Sequence, residues 1–158
     1  MEQVIARIVS RLQAAGIDTE NAFPPALMRR LTSARAAVEV KSVKAVPGSF
    51  CDYLGMEEDE ETGAVERYGR RLGGTVLVRI FAPTAIEAAK CAAEAAQSLA
   101  QGVAGLSVEA VTVSEPVYDA AGDYHTRDVE LAFSAYFYAL KTEEDGVFLN
   151  FKLEGTVN

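Results

Sequence analysis

The alternation of apolar and polar positions assigns most of the elements of this chain. Residues 2–15 place Val4, Ile5, Ile8, Val9 and Leu12 at three- and four-residue spacing, with Glu2, Arg7 and Arg11 elsewhere. That is the stripe of an amphipathic helix, and Gly16 is a natural stop for it. Residues 35–46 read as a strand. In it Val38, Val40, Val43 and Val46 alternate imperfectly with Glu39, Lys41 and Lys44, until Pro47-Gly48 breaks the run. Residues 75–81 form a clear strand with Val76, Val78 and Ile80 on one side. Pro83 and Thr84 then open a second helix that runs to about residue 101. Thr84-Ala85-Ile86-Glu87 has the form of a capping box, in which hydroxyl and carboxylate satisfy each other's free backbone N–H groups. Ala89, Ala92, Ala93, Ala95 and Ala96 let this helix lie close against a sheet.

Three more strands follow. Residues 106–113 alternate, and Glu115-Pro116 ends them. Residues 127–140 alternate strictly, with Val129, Leu131, Phe133, Ala135 and Phe137 on one face. The turn Glu143-Glu144-Asp145-Gly146 leads to Val147, Leu149, Phe151 and Leu153, again at period two, which predicts a long C-terminal hairpin at about 127–155. Residues 17–33 resist assignment: Pro24 and Pro25 forbid a regular element, and 26–31 fit one short helical turn. Residues 49–74 have no period. They hold the acids Glu57, Glu58, Asp59, Glu60 and Glu61, then Tyr68-Gly69, and end at Gly73-Gly74. A long loop or extended hairpin projecting from the domain is expected here.

The element order is therefore α-β-β-α-β-β-β. One helix joins two strands and the other connections suit hairpins. This predicts an α+β fold, a mostly antiparallel sheet of about five strands with two main helices on one face. No repeat, linker or low-complexity tract divides residues 1–158, so a single domain is expected.

Composition narrows the function classes. An apolar fraction of 49% with 24% charged residues suits a folded, soluble protein. The net charge of −8, from 15 basic and 23 acidic residues, argues against binding nucleic acid through its phosphates, which needs clustered Lys and Arg. The N-terminal residues lack the basic and apolar regions of a signal peptide, and no apolar run approaches the roughly 18 residues of a membrane span. Cys51 falls in a loop and Cys91 on a helix, which suits reduced thiols of a cytoplasmic compartment.

No constellation of residues adds up to an active site. His125 lies in Asp123-Tyr124-His125-Thr126-Arg127, and a histidine among acids invites a metal or general-base reading. It is the only histidine, no cysteine lies near it, and a polar loop leading into a strand accounts for the segment. The acids 57–61 lack the spaced ligands and glycine of a calcium loop, and a solvated charge run explains them better. Their electrostatic use would be to pair with a basic partner or to keep DNA from adhering to a channel. Gly102 and Gly105 follow a helix and precede a strand, the reverse of a phosphate-binding order, and no Lys-Ser/Thr follows Gly73-Gly74. No catalytic residue, metal ligand or cofactor site is assigned.

The last hairpin is the more informative feature. A strand over 127–140 would extend roughly 45 Å, against about 17–20 Å for an ordinary one. Its second face begins with Asp128 and Glu130 and turns aromatic at Tyr136 and Tyr138, with Phe148 on the partner strand. Either the first helix covers these rings, or they pack on a neighbouring subunit, where Tyr and Phe are favoured. The candidate interface residues are Tyr136, Tyr138 and Phe148, with Tyr68 and the acids Glu57, Glu58, Asp59, Glu60 and Glu61.

Several of these features occur together in one family. The N-terminal amphipathic helix and strand precede an irregular stretch carrying Asp52-Tyr53-Leu54-Gly55 and Glu66-Arg67-Tyr68-Gly69. A strand ending Ile80-Phe81-Ala82-Pro83 follows, then a helix, a further strand, and residues 123–133 leading into the long hairpin. In this layout, over nearly its whole length, the chain resembles the tail terminator (tail completion) proteins of long-tailed bacteriophages and phage-tail-like particles. The resemblance implies a small α/β subunit forming a homo-oligomeric ring, usually a hexamer. Such a ring caps the tail tube, ends its polymerisation and offers a docking face for the head or neck. It implies the tube protein as partner, with sheath and neck proteins beside it, and a place in the particle after assembly in the bacterial cytoplasm. It implies neither enzyme activity nor a cofactor. Negative charge suits a ring through which DNA passes, because like charges repel within a Debye length. Two other readings are compatible with the residues: another neck, connector or baseplate adaptor, and a small ferredoxin-like domain that binds or converts a metabolite.

Overall fold

The structure is a computed structural model and describes residues 2–20, 31–47, 52–59, 63–141 and 151–154. It is an α+β fold of two helices and one mostly antiparallel sheet. In chain order the elements are α1 (Glu2–Ala14), β1 (Thr19–Glu20), β2 (Arg35–Pro47), β3 (Tyr53–Asp59), β4 (Gly63–Ala82), α2 (Ala85–Ala100), β5 (Ser107–Val113), β6 (Val117–Asp119), β7 (Tyr124–Lys141) and β8 (Phe151–Glu154). The expected 26–31 turn, the 143–146 turn, Cys51 and the strand residues before Phe151 lie outside the described residues.

Two very long strands form the spine of the sheet. β4 has 20 residues and β7 has 18, and they pair without interruption from Ala82↔His125 to Glu66↔Lys141. At about 3.4 Å per residue each spans roughly 60 Å, three times an ordinary strand. The free edge of β4 is lined by β2 and then β3; that of β7 is lined by β6, β5 and β8. The expectation of about five strands falls short because these short strands follow one another along the edges of the long ones. The sheet formed by the described residues is thus narrow and long. Among the described strands only β1 runs parallel to its neighbour, β2.

One end of the sheet is a conventional two-layer body. Val38, Val78, Val129 and Val113 stand in one row across it, and Val40, Val76, Leu131 and Val111 in the next. From these rows Val38, Val76, Val78, Val129 and Leu131 join one buried core with Val4, Ile8 and Leu12 of α1 and Ala92, Ala95 and Leu99 of α2. Burying such side chains contributes about 1.5–3 kcal/mol each, which makes this face the source of the fold's stability. The helix ends are satisfied locally. The Thr84 hydroxyl accepts from the Glu87 N–H at 3.2 Å, and Gly16, at φ 82°, lets the Ile17 N–H reach the Leu12 carbonyl as α1 ends. Arg11 donates to the Ser98 carbonyl and Arg7 to that of Ala104, so α1 places two cations by the C-terminal end of α2.

Two bulges mark the end of the body. β2 carries an extra residue between Val40 and Ser42, opposite Val76 and Thr75; β5 carries one between Val108 and Ala110, opposite Phe133 and Ala132. Because Thr75 pairs with Ala132, both bulges fall on one line across the sheet. Each shifts its strand's phase by one residue. Val43 therefore returns to the core side opposite Gly74, where unbroken alternation would have turned it away. The Gly73-Gly74 pair lies inside β4 at this line and does not end an irregular segment, as its sequence suggested. A Cβ on Gly74 would stand 2.6 Å from the Ser42 carbonyl oxygen and 3.1 Å from the Phe133 ring, so the close approach of both neighbours requires glycine.

Candidate functional site: a sheet arm beyond the helices

Past the line of bulges the sheet continues as an arm. It consists of the end of β2, then β3, the first half of β4, the second half of β7, and β8. Among the described side chains of β7, Ala135 is the last that belongs to the core, with Leu72 half-buried beside it. The expected projection at 49–74 and the expected C-terminal hairpin thus share one sheet: residues 66–73 pair with 134–141. Of the two forms considered for 49–74, hairpin is what the described residues show.

On the core side of the arm apolar side chains continue along the strands with greater exposure. Val43 is 40% exposed, Tyr53 37%, Met56 61% and Phe137 39%. Phe137 keeps strict alternation with the buried Phe133 and Ala135, yet it is open where they are closed. Sequence placed all three on one face, and a period reports which face a residue takes, not how far a helix reaches over that face. Tyr53 and Tyr68 meet edge to face at 5.5 Å, an arrangement aromatic rings favour, and the Tyr68 hydroxyl donates to Glu66 at 2.8 Å. Arg70 lies among these residues, opposite Phe137, with its Nε 3.6 Å from Asp52.

Among the described residues no helix packs on the other side of the sheet. On the body it carries ion pairs across the strands: Lys41 with Glu130, Arg79 with Asp128 in a two-pronged contact at 2.8 and 3.0 Å, and Arg71 with Glu109 at 3.0 Å. Lys41 and Glu109 are the two bulge residues. Pairing with Asp128 raises the Arg79 pKa above its ordinary value. Each exposed pair is worth about 0–1 kcal/mol. Tyr136 lies on this side, half-buried and opposite Arg71.

The predicted interface residues divide accordingly. Tyr136 and Tyr138 take positions on the helix-free side, so α1, which packs on the other, does not cover Tyr136. Tyr68 is on the core side of the arm. Glu57, Glu58 and Asp59 belong to the arm's β3, opposite Val65, Ala64 and Gly63, and do not form a loop. Phe148, Glu60 and Glu61 lie outside the described residues. Val43, Met56 and Phe137, exposed on the arm, were not among the residues chosen from the sequence.

The remaining candidates for chemistry are structural. His125 is in β7, not in a loop: it pairs with Ala82 and Tyr118, and its ring lies 5.0 Å from that of Tyr118. Asp119 accepts from the Ala121 and Gly122 N–H groups, Tyr118 donates to Asp123, and Asp123 takes φ 52°, which together describe a tight β6–β7 turn. Hydrogen bonds from Tyr124, then from Gly122 and Ala121, hold Asp119 below its usual carboxylate range. Among the described residues no group of three or more His, Cys, Asp or Glu is placed to hold a metal ion. Burial, with Glu94 close by, pushes the Cys91 thiol up to about 11, which keeps it protonated and unreactive at neutral pH. A groove of about 370 Å³ between α1 and α2 is lined by Arg11, Glu94 and Gln97, but Arg11 is engaged there with Ser98 and Gln101. No described helix is long and apolar enough to cross a membrane. A search of protein-family models finds none that matches this chain, and a search of curated proteins finds no match.

Proposed function

We propose that this chain is a structural subunit that works by assembling with copies of itself through its sheet arm. The single observation that carries this reading is the exposure of Val43, Tyr53, Met56 and Phe137 on a stretch of sheet that runs past its helices. Apolar side chains left exposed together in one region of a folded chain suit a contact surface, and aromatic side chains are the ones such contacts favour. The resemblance to tail terminators gives the assembly its form: a ring, usually of six, that caps a phage or phage-like tail tube and presents a face to the head or neck. On this reading the chain is not an enzyme, takes no cofactor, and spends its working life in the particle. The acidic β3 at the arm is then available to repel DNA from the channel or to meet a basic partner.

Mass photometry of the purified chain tests the first half of the proposal, with a closed ring of defined mass as the expected result. Adding that ring to growing tail tubes tests the second. Tubes of unchanged length distribution would refute the capping role. A metabolite or divalent cation that raises the melting temperature by several degrees would instead favour a ligand-binding domain.

A further inference from the structure

Residues 42–47 of β2 fit the sheet in two registers. In the structure the extra residue at Lys41 sets Val43 opposite Gly74, Ala45 opposite Leu72 and Val46 opposite Arg71. Val43 and Ala45 then share the core side with Leu72, and Val46, half-buried, takes the other. A straight ladder continued from Val40 and Val76 would advance the strand by one residue, about 3.4 Å, toward the tip of the arm. It would set Lys44 opposite Leu72, Ala45 opposite Arg71 and Val46 opposite Arg70. Every side chain from Ser42 on would change sides.

The usual determinants of register do not choose between the two. Buried apolar residues normally pin a strand, because the wrong register turns them to water. Here each register gives one valine to each side, with Val43 and Val46 exchanging places. Val43 is 40% exposed, and Lys44 and Ala45 are exposed as well, so the exchange gives up little burial. Cross-strand side-chain pairs are the second determinant. β4 offers none at Gly73 and Gly74, opposite Lys44 and Val43. The bulge leaves one residue of β2 out of the ladder, and the Lys41 side chain is held by an exposed ion pair with Glu130, worth about 0–1 kcal/mol. Before the bulge the register is fixed, since Ala36 and Val38 belong to the buried core. The slack therefore lies beyond it.

We infer that the arm segment of β2 is a register switch, with the bulge at Lys41 as its one-residue reserve. In the straight register Val46 stands in the row of Arg70 and Phe137, on the side where Phe137 is exposed. The bulged register keeps its valine near the body, in the row of Gly74 and Phe133. The switch moves a branched apolar side chain along the arm, between the edge of the core and the exposed ring, and leaves the body unaltered. It stands whether or not the arm is an assembly surface.

Opposed residues of an antiparallel pair lie about 4.5–5.5 Å apart at Cα, within disulfide reach, so cysteine pairs report register. In the chain carrying Cys51→Ser and Cys91→Ala, Ala45→Cys with Leu72→Cys reports the bulged register. Lys44→Cys with Leu72→Cys reports the straight one. Val46→Cys with Arg71→Cys, and Ala45→Cys with Arg71→Cys, ask the same question on the other side of the sheet. Circular dichroism checks that each variant folds. Mild oxidation followed by peptide mass mapping should find all four links. Deleting Lys41 removes the reserve, and should leave the two bulged-register links while abolishing the two straight-register ones. If only the bulged-register links form with Lys41 present, β2 has one register and the inference falls. It falls equally if the straight-register links survive the deletion, because the bulge is then not their source.

Discussion

Phe133 and Phe137 lie on the same strand, on the same face, one helical layer apart. The first is 1% exposed at the centre of the body; the second is 39% exposed on the arm. The sequence around them does not change character, because Val129, Leu131, Phe133, Ala135 and Phe137 alternate without a fault. What changes is the second layer: α1 and α2 close the face as far as Ala135 and stop. The same residue type is therefore buried beneath the helices in one place and partly exposed in the other. Body and arm are one sheet, divided by where the helices end.

Substitutions should separate the two regions. Phe133→Ala should cost about 3–5 kcal/mol of unfolding free energy in urea, as expected for emptying a ring-sized space in a packed core. At the border, Gly74→Ala should cost about 1–3 kcal/mol because the added Cβ meets the Ser42 carbonyl and the Phe133 ring, whereas Gly73→Ala, with nothing nearer than 4.0 Å, should change stability by less than about 0.5 kcal/mol. Equal costs for the two glycines would show that the body does not end at that line.

The body should also respond to alkali. Burial raises the Cys91 thiol from its ordinary value of about 9 to about 11. The stability this contributes is whole below pH 9 and is lost as pH rises toward 11, a loss of about 1 kcal/mol by pH 10. Cys91→Ala should flatten that part of the stability curve, measured by urea unfolding between pH 7 and 10. Phe137→Ala, by contrast, should lower monomer stability by less than about 1 kcal/mol while weakening self-association about tenfold. Smallest of all, Arg79→Ala should cost at most about 1 kcal/mol, less in high salt, since its pair with Asp128 is exposed.

The legibility of the sequence follows the same division. Both helices, the covered half of β4 and the length of β7 were readable, because a half-buried element must repeat its apolar positions at its own period. The capping residue Thr84 and the stop at Gly16 were readable as local chemistry. The first half of β4 was not: Gly63, Gly69, Gly73 and Gly74, with Glu66, Arg67, Arg70 and Arg71, give no period, since most of that stretch has no core to face. The imperfect alternation of Val38, Val40, Val43 and Val46 had a cause that sequence does not display, a bulge at Lys41 that turns the strand over. Strand β6 is three residues long and too short to leave a pattern. The aromatic residues chosen from the sequence, Tyr136 and Tyr138, fall on the part of β7 beyond the helices, at positions facing away from them. The exposed patch on the opposite side was hidden among residues that looked like core.

The register of the two long strands also sets an order of events in time. From Ala82↔His125 outward to Glu66↔Lys141, each further pair joins residues two positions more distant along the chain. The pairs cheapest in loop entropy are those of the body, which the helices reward at once with buried area. The strands should therefore zip from the body toward the arm, and the last rungs to close should be the first to open. Amide exchange along β4 should accordingly quicken from Ile80 to Arg67, and a newly made chain would hold a finished body before it has an arm to offer.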